Sequence, residues 1–153
     1  MAIDTEVLVI GAGPGGYVAA LKLGKLGKKT LLVEKDRLGG VCLNQGCIPS
    51  KALINMATLL AKVNKAKALG IEAPDLRLNW SKVVDWKNTM VAGLNRGIVT
   101  LTKGNAVTVL MGTTRLTGAH EAEVTTTNGK ETVSFQQAIV VTGSRPIPIP
   151  GFD

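Results

Sequence analysis

A short apolar run, Val7-Leu8-Val9-Ile10, breaks into Gly11-Ala12-Gly13-Pro14-Gly15-Gly16, and this junction leaves few folds open to the 153-residue chain. Residues 5–10 read as a buried parallel strand, and a helix-spaced pattern follows from Tyr17 to about Leu26. Strand, glycine turn and helix in that order are the context a dinucleotide fingerprint requires. Gly11 serves the tight turn, Gly13 lets a pyrophosphate approach the backbone, and Gly16 lets the helix lie close to the strand. The helix then points unpaired N–H groups and its positive dipole end at the phosphates. Residues 29–33 read as the second strand, which ends at Glu34, eighteen residues after Gly16, where this fold sets an acceptor for ribose hydroxyls. The expected class is therefore α/β: a Rossmann-like domain with a parallel sheet and helices.

The fingerprint does not choose between FAD and NAD. The chain's two cysteines do, because Cys42 and Cys47 lie in Gly39-Gly40-Val41-Cys42-Leu43-Asn44-Gln45-Gly46-Cys47-Ile48-Pro49-Ser50-Lys51, which begins five residues after Glu34. Two lone cysteines without a secretory signature suggest reversible electron storage. On a regular helix, positions i and i+5 would hold their Cα atoms roughly 8–9 Å apart, beyond the ~7 Å limit for a disulfide. The segment must be distorted, and Gly46 and Pro49 are residue types that permit it. A flavin can take electrons from a dithiol and pass them on as hydride, so FAD is the expected cofactor.

These residues also carry a resemblance. The Gly39 to Lys51 run is similar to the redox-active disulfide motif of the pyridine nucleotide-disulfide oxidoreductases, and Ile48-Pro49-Ser50-Lys51-Ala52-Leu53 most resembles that family's dihydrolipoamide dehydrogenase branch. Glutathione reductases usually have Val-Pro-Lys-Lys after the second cysteine, and mercuric reductases lack the Ala-Leu continuation. Gln45 stands where the family usually has an apolar residue. The resemblance implies Cys42 as the thiol that exchanges with substrate and Cys47 as the thiol facing the flavin. It implies FAD against Gly11, Gly13, Pro14, Gly15, Glu34, Lys35, Gly40, Val41, Cys42, Lys51, Gly112, Thr142, Gly143 and Ser144. Within that set Glu34 takes the adenosine ribose, and Gly112 lies against the adenine end. It further implies NAD as final acceptor in the full-length enzyme, lipoyl domains of 2-oxo acid dehydrogenase or glycine cleavage complexes as partners, and a homodimer. A flavin module that only senses redox state is the alternative from another class.

The rest of the chain reads as scaffold. Leu53, Ile54, Ala57, Leu60, Ala61 and Val63 give a helix-spaced apolar face from Ser50 to near Gly70, with Met56 as a core gap-filler. Asn79-Trp80-Ser81 starts a second long helix that runs to about Thr102. Trp80 and Trp86 are six apart, do not share a helix face, and read as packing. Short strands follow at 106–111, 115–116, 123–127 and 131–135, with Asn128-Gly129 as a hairpin signal, and 138–141 forms a last strand. This predicts a small antiparallel sheet inserted before the last main strand. His120 sits in a Gly-Ala-His-Glu turn, outside every motif, and reads as non-catalytic.

The net charge of +7 comes from lysines spread over helical stretches and reads as a solvated face; with 3% aromatics the chain is not expected to bind nucleic acid. No segment reads as a targeting signal, a membrane span or a metal site, so a soluble, cytoplasmic protein is expected. Residues 1–145 are expected to form the FAD domain, and 146–153, rich in proline, a linker. The resemblance covers the first part of the family's chain, whose later NAD, central and interface domains are not in this sequence.

Overall fold

A computed structural model describes residues 2–145 and 147–151 of the chain. Pro146, Phe152 and Asp153, within the expected linker, lie outside the described residues. Strand β1 (Ala2–Ile10) runs through the fingerprint turn into helix α1 (Pro14–Lys25), and the chain returns as β2 (Thr30–Glu34). A short helix α2 (Gly40–Asn44) and a long one, α3 (Cys47–Ala66), carry the two cysteines. Helix α4 (Trp80–Gly104) leads to β3 (Val107–Met111), β4 (Thr113–Gly118), β5 (Glu121–Thr126) and β6 (Gly129–Val140).

All six strands form one sheet in the order β3-β2-β1-β6-β5-β4. The pairs β3/β2, β2/β1 and β1/β6 are parallel, whereas β6/β5 and β5/β4 are antiparallel. Parallel strands covered on both faces need continuous apolar runs, and every residue of β2 is buried. One face packs Val7, Val9 and Leu32 against Ala20 of α1 and Ile98 of α4; the other gathers Leu8, Leu31 and Val33 with Ala122, Val124, Val133 and Phe135. Burying each such Leu or Val contributes about 1.5–3 kcal/mol, so the two clusters hold the carboxyl ends of β1 and β2 in fixed register.

Two expectations about elements change. The strands expected at 131–135 and 138–141 are one continuous β6, because its first half pairs with β5 while residues from Thr132 to Val140 pair with β1 across the expected gap. The antiparallel part is thus an extension of the main sheet. The hairpin's two turn residues are Thr127 and Asn128, with Gly129 at φ 120° opening β6 opposite Thr126.

Helix α3 starts at Cys47, earlier than Ser50, with Pro49 in the first turn, where a missing N–H costs nothing. It ends through a 3-10 turn at Lys67–Leu69 capped by Gly70 at φ 81°. Its apolar face is only partly covered: Ile54 is 63% exposed, Ala57 and Ala61 are exposed, and Leu53, Met56, Leu60 and Val63 are half-buried. Trp80 and Trp86 are also exposed. Helix α4 begins as expected, with the Asn79 side chain accepting from the Lys82 N–H at 3.0 Å.

Candidate functional site

The ends of β1, β2, β3 and β6 meet at one edge of the sheet, and the fingerprint turn leaves β1 there. Gly11 holds φ 99° and donates its N–H to Val33 O at 2.8 Å; a Cβ on it would lie 2.5 Å from Val141 O. A Cβ on Gly16 would overlap Gly11 O, so that glycine lets α1 sit against the turn. Gly13 is different: nothing lies within 4 Å of its Cβ position. Open space there, in front of an α1 N-terminus that has no side-chain cap, is the shape an anionic group needs.

Glu34 ends β2 and is 8% exposed. Its Oε2 accepts from the Ala12 N–H at 2.7 Å, and Oε1 accepts from the Asp36 N–H at 2.9 Å. Its carbonyl accepts from the Gly112 N–H at 2.8 Å. No ion pair to Glu34 occurs among the described residues, so backbone donors stabilise this buried carboxylate.

Beside Glu34 lies a cleft of ≈ 190 Å³ whose lining includes Gly11, Glu34, Lys35, Gly112 and Thr142, five residues singled out from the sequence. Thr113 and Thr114 also line it, and the Thr114 hydroxyl is buried without a partner. No sequence pattern points to these two threonines. Gly112 has a structural reason of its own, since a Cβ there would lie 2.6 Å from Thr125 O. Gly143 and Ser144 continue the exposed β6 exit beyond Thr142. They do not line the cleft.

The cysteine segment is fastened to the fingerprint. The Gly39 N–H donates to Ala12 O at 2.8 Å, and a Cβ on Gly40, which holds φ 59°, would lie 2.7 Å from Gly13 Cα. Gly40, Val41 and Cys42 therefore start beside Gly13 and Pro14, the first residue of α1. Two asparagines absent from the sequence-based candidates brace this corner. Asn44 donates to Leu38 O at 3.0 Å and Gly40 O at 2.8 Å; Asn95 of α4 donates to Leu38 O at 2.8 Å and to Asn44 Oδ1 at 3.0 Å. Asn44 lies inside the cysteine motif and could have been flagged; Asn95 sits 51 positions further on with no local signal.

The expected distortion between the cysteines is real. The Gln45 and Gly46 N–H groups both donate to Val41 O, at 2.9 and 2.7 Å, which closes α2 and lets α3 restart at Cys47. Cys42 is half-buried and Cys47 exposed, both as free thiols. The Cys42 thiol is pushed above the ordinary thiol range, first by its hydrogen bond with Cys47 and then by burial, while the Lys51 ammonium pulls it down. Lys51 itself is exposed. Gly15 packs within 3.5 Å of Val141 Cγ1, measured from its Cβ position. His120 lies in the β4–β5 turn, its ring 6.3 Å from that of Phe135 and outside the cleft. Among the described residues no group of His, Cys, Asp and Glu could hold a metal ion, and no helix is long and apolar enough to cross a membrane.

Comparison with known proteins agrees with this geometry. The chain is 45% identical to dihydrolipoyl dehydrogenase of Geobacillus stearothermophilus over 99% of its own length and 32% of the relative's. It is 47% identical to the enzyme of the same name from Haloferax volcanii, covering 100% of this chain and 33% of that one. The chain thus spans about a third of the length of these relatives. In structure it resembles LpdA from Mycobacterium tuberculosis, with a TM-score of 0.86 at 24% identity over 95% of this chain and 33% of that one. It also resembles the flavoprotein disulfide reductase RclA from Escherichia coli, with a TM-score of 0.76 at 22% identity over 97% of this chain and 30% of RclA. Both likenesses bear on the fold. The profile of the pyridine nucleotide-disulphide oxidoreductases matches residues 5–153, and the chain belongs to that family.

Proposed function

We propose that this chain is the FAD-binding, thiol-bearing part of a dihydrolipoyl dehydrogenase. The observation that carries the reading is the joining of two motifs: the Glu34 cleft opens on one side of the fingerprint turn, and Gly40 of the cysteine corner packs on Gly13. A volume of ≈ 190 Å³ suits one end of a dinucleotide, since pockets for whole drug-sized ligands start at about 300 Å³. Gly11, Glu34, Lys35, Gly112 and Thr142 would hold the adenosine end, and Gly13, Pro14, Gly15, Gly40 and Val41 the pyrophosphate. Cys42, Cys47, Lys51, Gly143 and Ser144 would border the flavin. The open Cβ position of Gly13 fits such a group.

The covalent bonds that change at the thiols are between sulfur atoms. Joining the sulfurs of Cys42 and Cys47 releases two electrons and two protons. In the reverse direction a dihydrolipoyl thiolate attacks Cys42 Sγ, the Cys42–Cys47 bond breaks, and Cys47 leaves as thiolate. The second lipoyl sulfur then attacks the mixed disulfide, freeing oxidised lipoyl and the Cys42 thiol. Bound FAD supplies the two-electron acceptor, with NAD as the final oxidant in the longer protein. Cys47 is the first residue of α3 and is exposed, so its sulfur is open to a second reactant. Lipoyl domains of 2-oxo acid dehydrogenase or glycine cleavage complexes, a homodimeric full-length enzyme and a cytoplasmic setting complete the reading. Residues 1–145 are assigned to the FAD domain.

Anaerobic reduction of the FAD-reconstituted chain tests this. The reading predicts a long-wavelength absorbance band that Cys47→Ser removes and Cys42→Ser leaves. Bound FAD with no such band, or a band indifferent to Cys47, would refute it.

A further inference from the structure

We infer that Glu34 is a positioning residue that shapes the fingerprint turn before any ligand arrives, and that it needs two acceptor oxygens to do so. A ribose acceptor requires only one oxygen with a free lone pair. Glu34 is arranged differently. Oε2 accepts from Ala12, inside the turn after β1, and Oε1 accepts from Asp36, in the loop after β2. Its own carbonyl holds Gly112, at the corner between β3 and β4. One residue thereby ties together three of the four segments that wall the cleft, the fourth being the β6 exit at Thr142.

The chemistry sets a sharp requirement on the side chain. Ala12 N–H and Asp36 N–H both donate, so both partner atoms must accept. A glutamine amide offers one oxygen and one NH2 group, and in either flip it sets a donor against a donor. Glu34 is 8% exposed and its bond from Ala12 is buried, so at that amide water has little room to repair the clash. An alanine would leave both N–H groups unpaired but would not oppose them. The two oxygens each keep a lone pair for ribose hydroxyls, so the positioning role and the ligand role coexist. Through Ala12 the effect reaches further, because Ala12 O accepts from Gly39 N–H at the start of the cysteine corner. A tilted Ala12 peptide would disturb that corner as well.

Amide hydrogen exchange on the ligand-free chain is the test, and it does not depend on the FAD reading. In the wild-type chain the Ala12 and Asp36 amides should exchange at least about tenfold more slowly than the uncapped Gly15 amide in the first turn of α1, as a bond to a charged acceptor requires. In Glu34→Gln, exchange at Ala12 and Asp36 should rise about tenfold or more, while Gly11, bonded to Val33 O, keeps its wild-type rate. A merely structural role would speed Gly11 together with the others. Wild-type amides at Ala12 and Asp36 as fast as Gly15, or unchanged rates in Glu34→Gln, would overturn the inference. That wild-type arm stands even if the variant fails to fold. A second arm, which rests on the proposed function, titrates FAD and FMN: Glu34→Gln should bind FAD no better than Glu34→Ala, with FMN less affected. Near-wild-type FAD affinity in Glu34→Gln would contradict the two-acceptor requirement, whereas no FAD binding by the wild-type chain would strike the proposed function and leave the exchange result intact.

Discussion

Removing the Asn95 side chain should loosen the cysteine corner without touching a thiol. Asn95→Ala deletes two hydrogen bonds, at 2.8 Å to Leu38 O and 3.0 Å to Asn44 Oδ1. Each is worth a net 0.5–1.5 kcal/mol or so, an upper sum of about 3 kcal/mol. The sum overcounts, because Leu38 O keeps its bond from Asn44 and only Asn44 Oδ1 loses its donor. About 1–2 kcal/mol is therefore expected. For a domain of this size each kcal/mol lowers Tm by roughly 2–4 °C, so calorimetry should show a drop of about 2–8 °C. The corner carries α2, so the Cys42–Cys47 contact should also relax. The pH profile of Cys42 alkylation, measured in the Cys47-intact protein, should then move toward the ordinary thiol range. Asn95→Asp should be worse than Asn95→Ala, since a carboxylate would face two acceptors. A Tm unchanged to within about 1 °C, together with an unmoved alkylation profile, would refute the bracing role.

Three further outcomes follow from single contacts. Gly16→Ala should cost about 3 kcal/mol or more in urea denaturation, because its Cβ meets the backbone carbonyl of Gly11 and not a flexible side chain; a cost under about 1 kcal/mol would show that the turn yields freely. Cys47→Ala removes the main cause of the raised Cys42 pKa, so Cys42 should ionise at lower pH and alkylate faster at fixed neutral pH; slower alkylation would contradict the assigned cause. Glu6 has its pKa held below 4.5 by the Lys28 side chain and the Lys29 N–H, so its contribution is present above that value and lost as pH falls through the lowered folded-state pKa. Glu6→Gln should accordingly flatten the acid limb of the stability profile below pH 4.5, and an unchanged limb would remove Glu6 from the account.

Local chemistry made much of this molecule legible. Gly11 and Gly16 announced the turn because only glycine tolerates the neighbouring carbonyls there, and Asn79 announced α4 because its side chain caps it. Gly46 does fall at the break between the cysteines, but it holds φ −111° and not the positive φ that glycine allows; its N–H closes α2 on Val41 O. The union of 131–135 and 138–141 into β6 was hidden, since it depends on β1 pairing from Thr132 through to Val140. Asn95 was hidden too. Its partners are distant in sequence, and a polar residue on a helix gives no sign of which backbone carbonyl it will reach. The open face of α3 shows the converse: helical spacing of Leu53, Ile54 and Ala57 records an amphipathic helix, while burial depends on what packs against it, and α3 packs mainly on α2 and α4. At the cleft, Glu34 was read as a ligand acceptor, whereas its two backbone bonds appear only when the loops are in place.

The most direct test of the central claim is a backbone amide shift titration of the 153-residue chain with FAD, run in parallel with FMN. The account predicts that FAD moves the amides of Gly11, Glu34, Gly112 and Thr142, which border one cleft, and of Ala12, which is bonded to Glu34, and that FMN, lacking the adenosine end, leaves them nearly still. Shifts confined to the separate hollow lined by Arg37, Lys87 and Arg96, or no shifts from FAD in a folded chain, would contradict it.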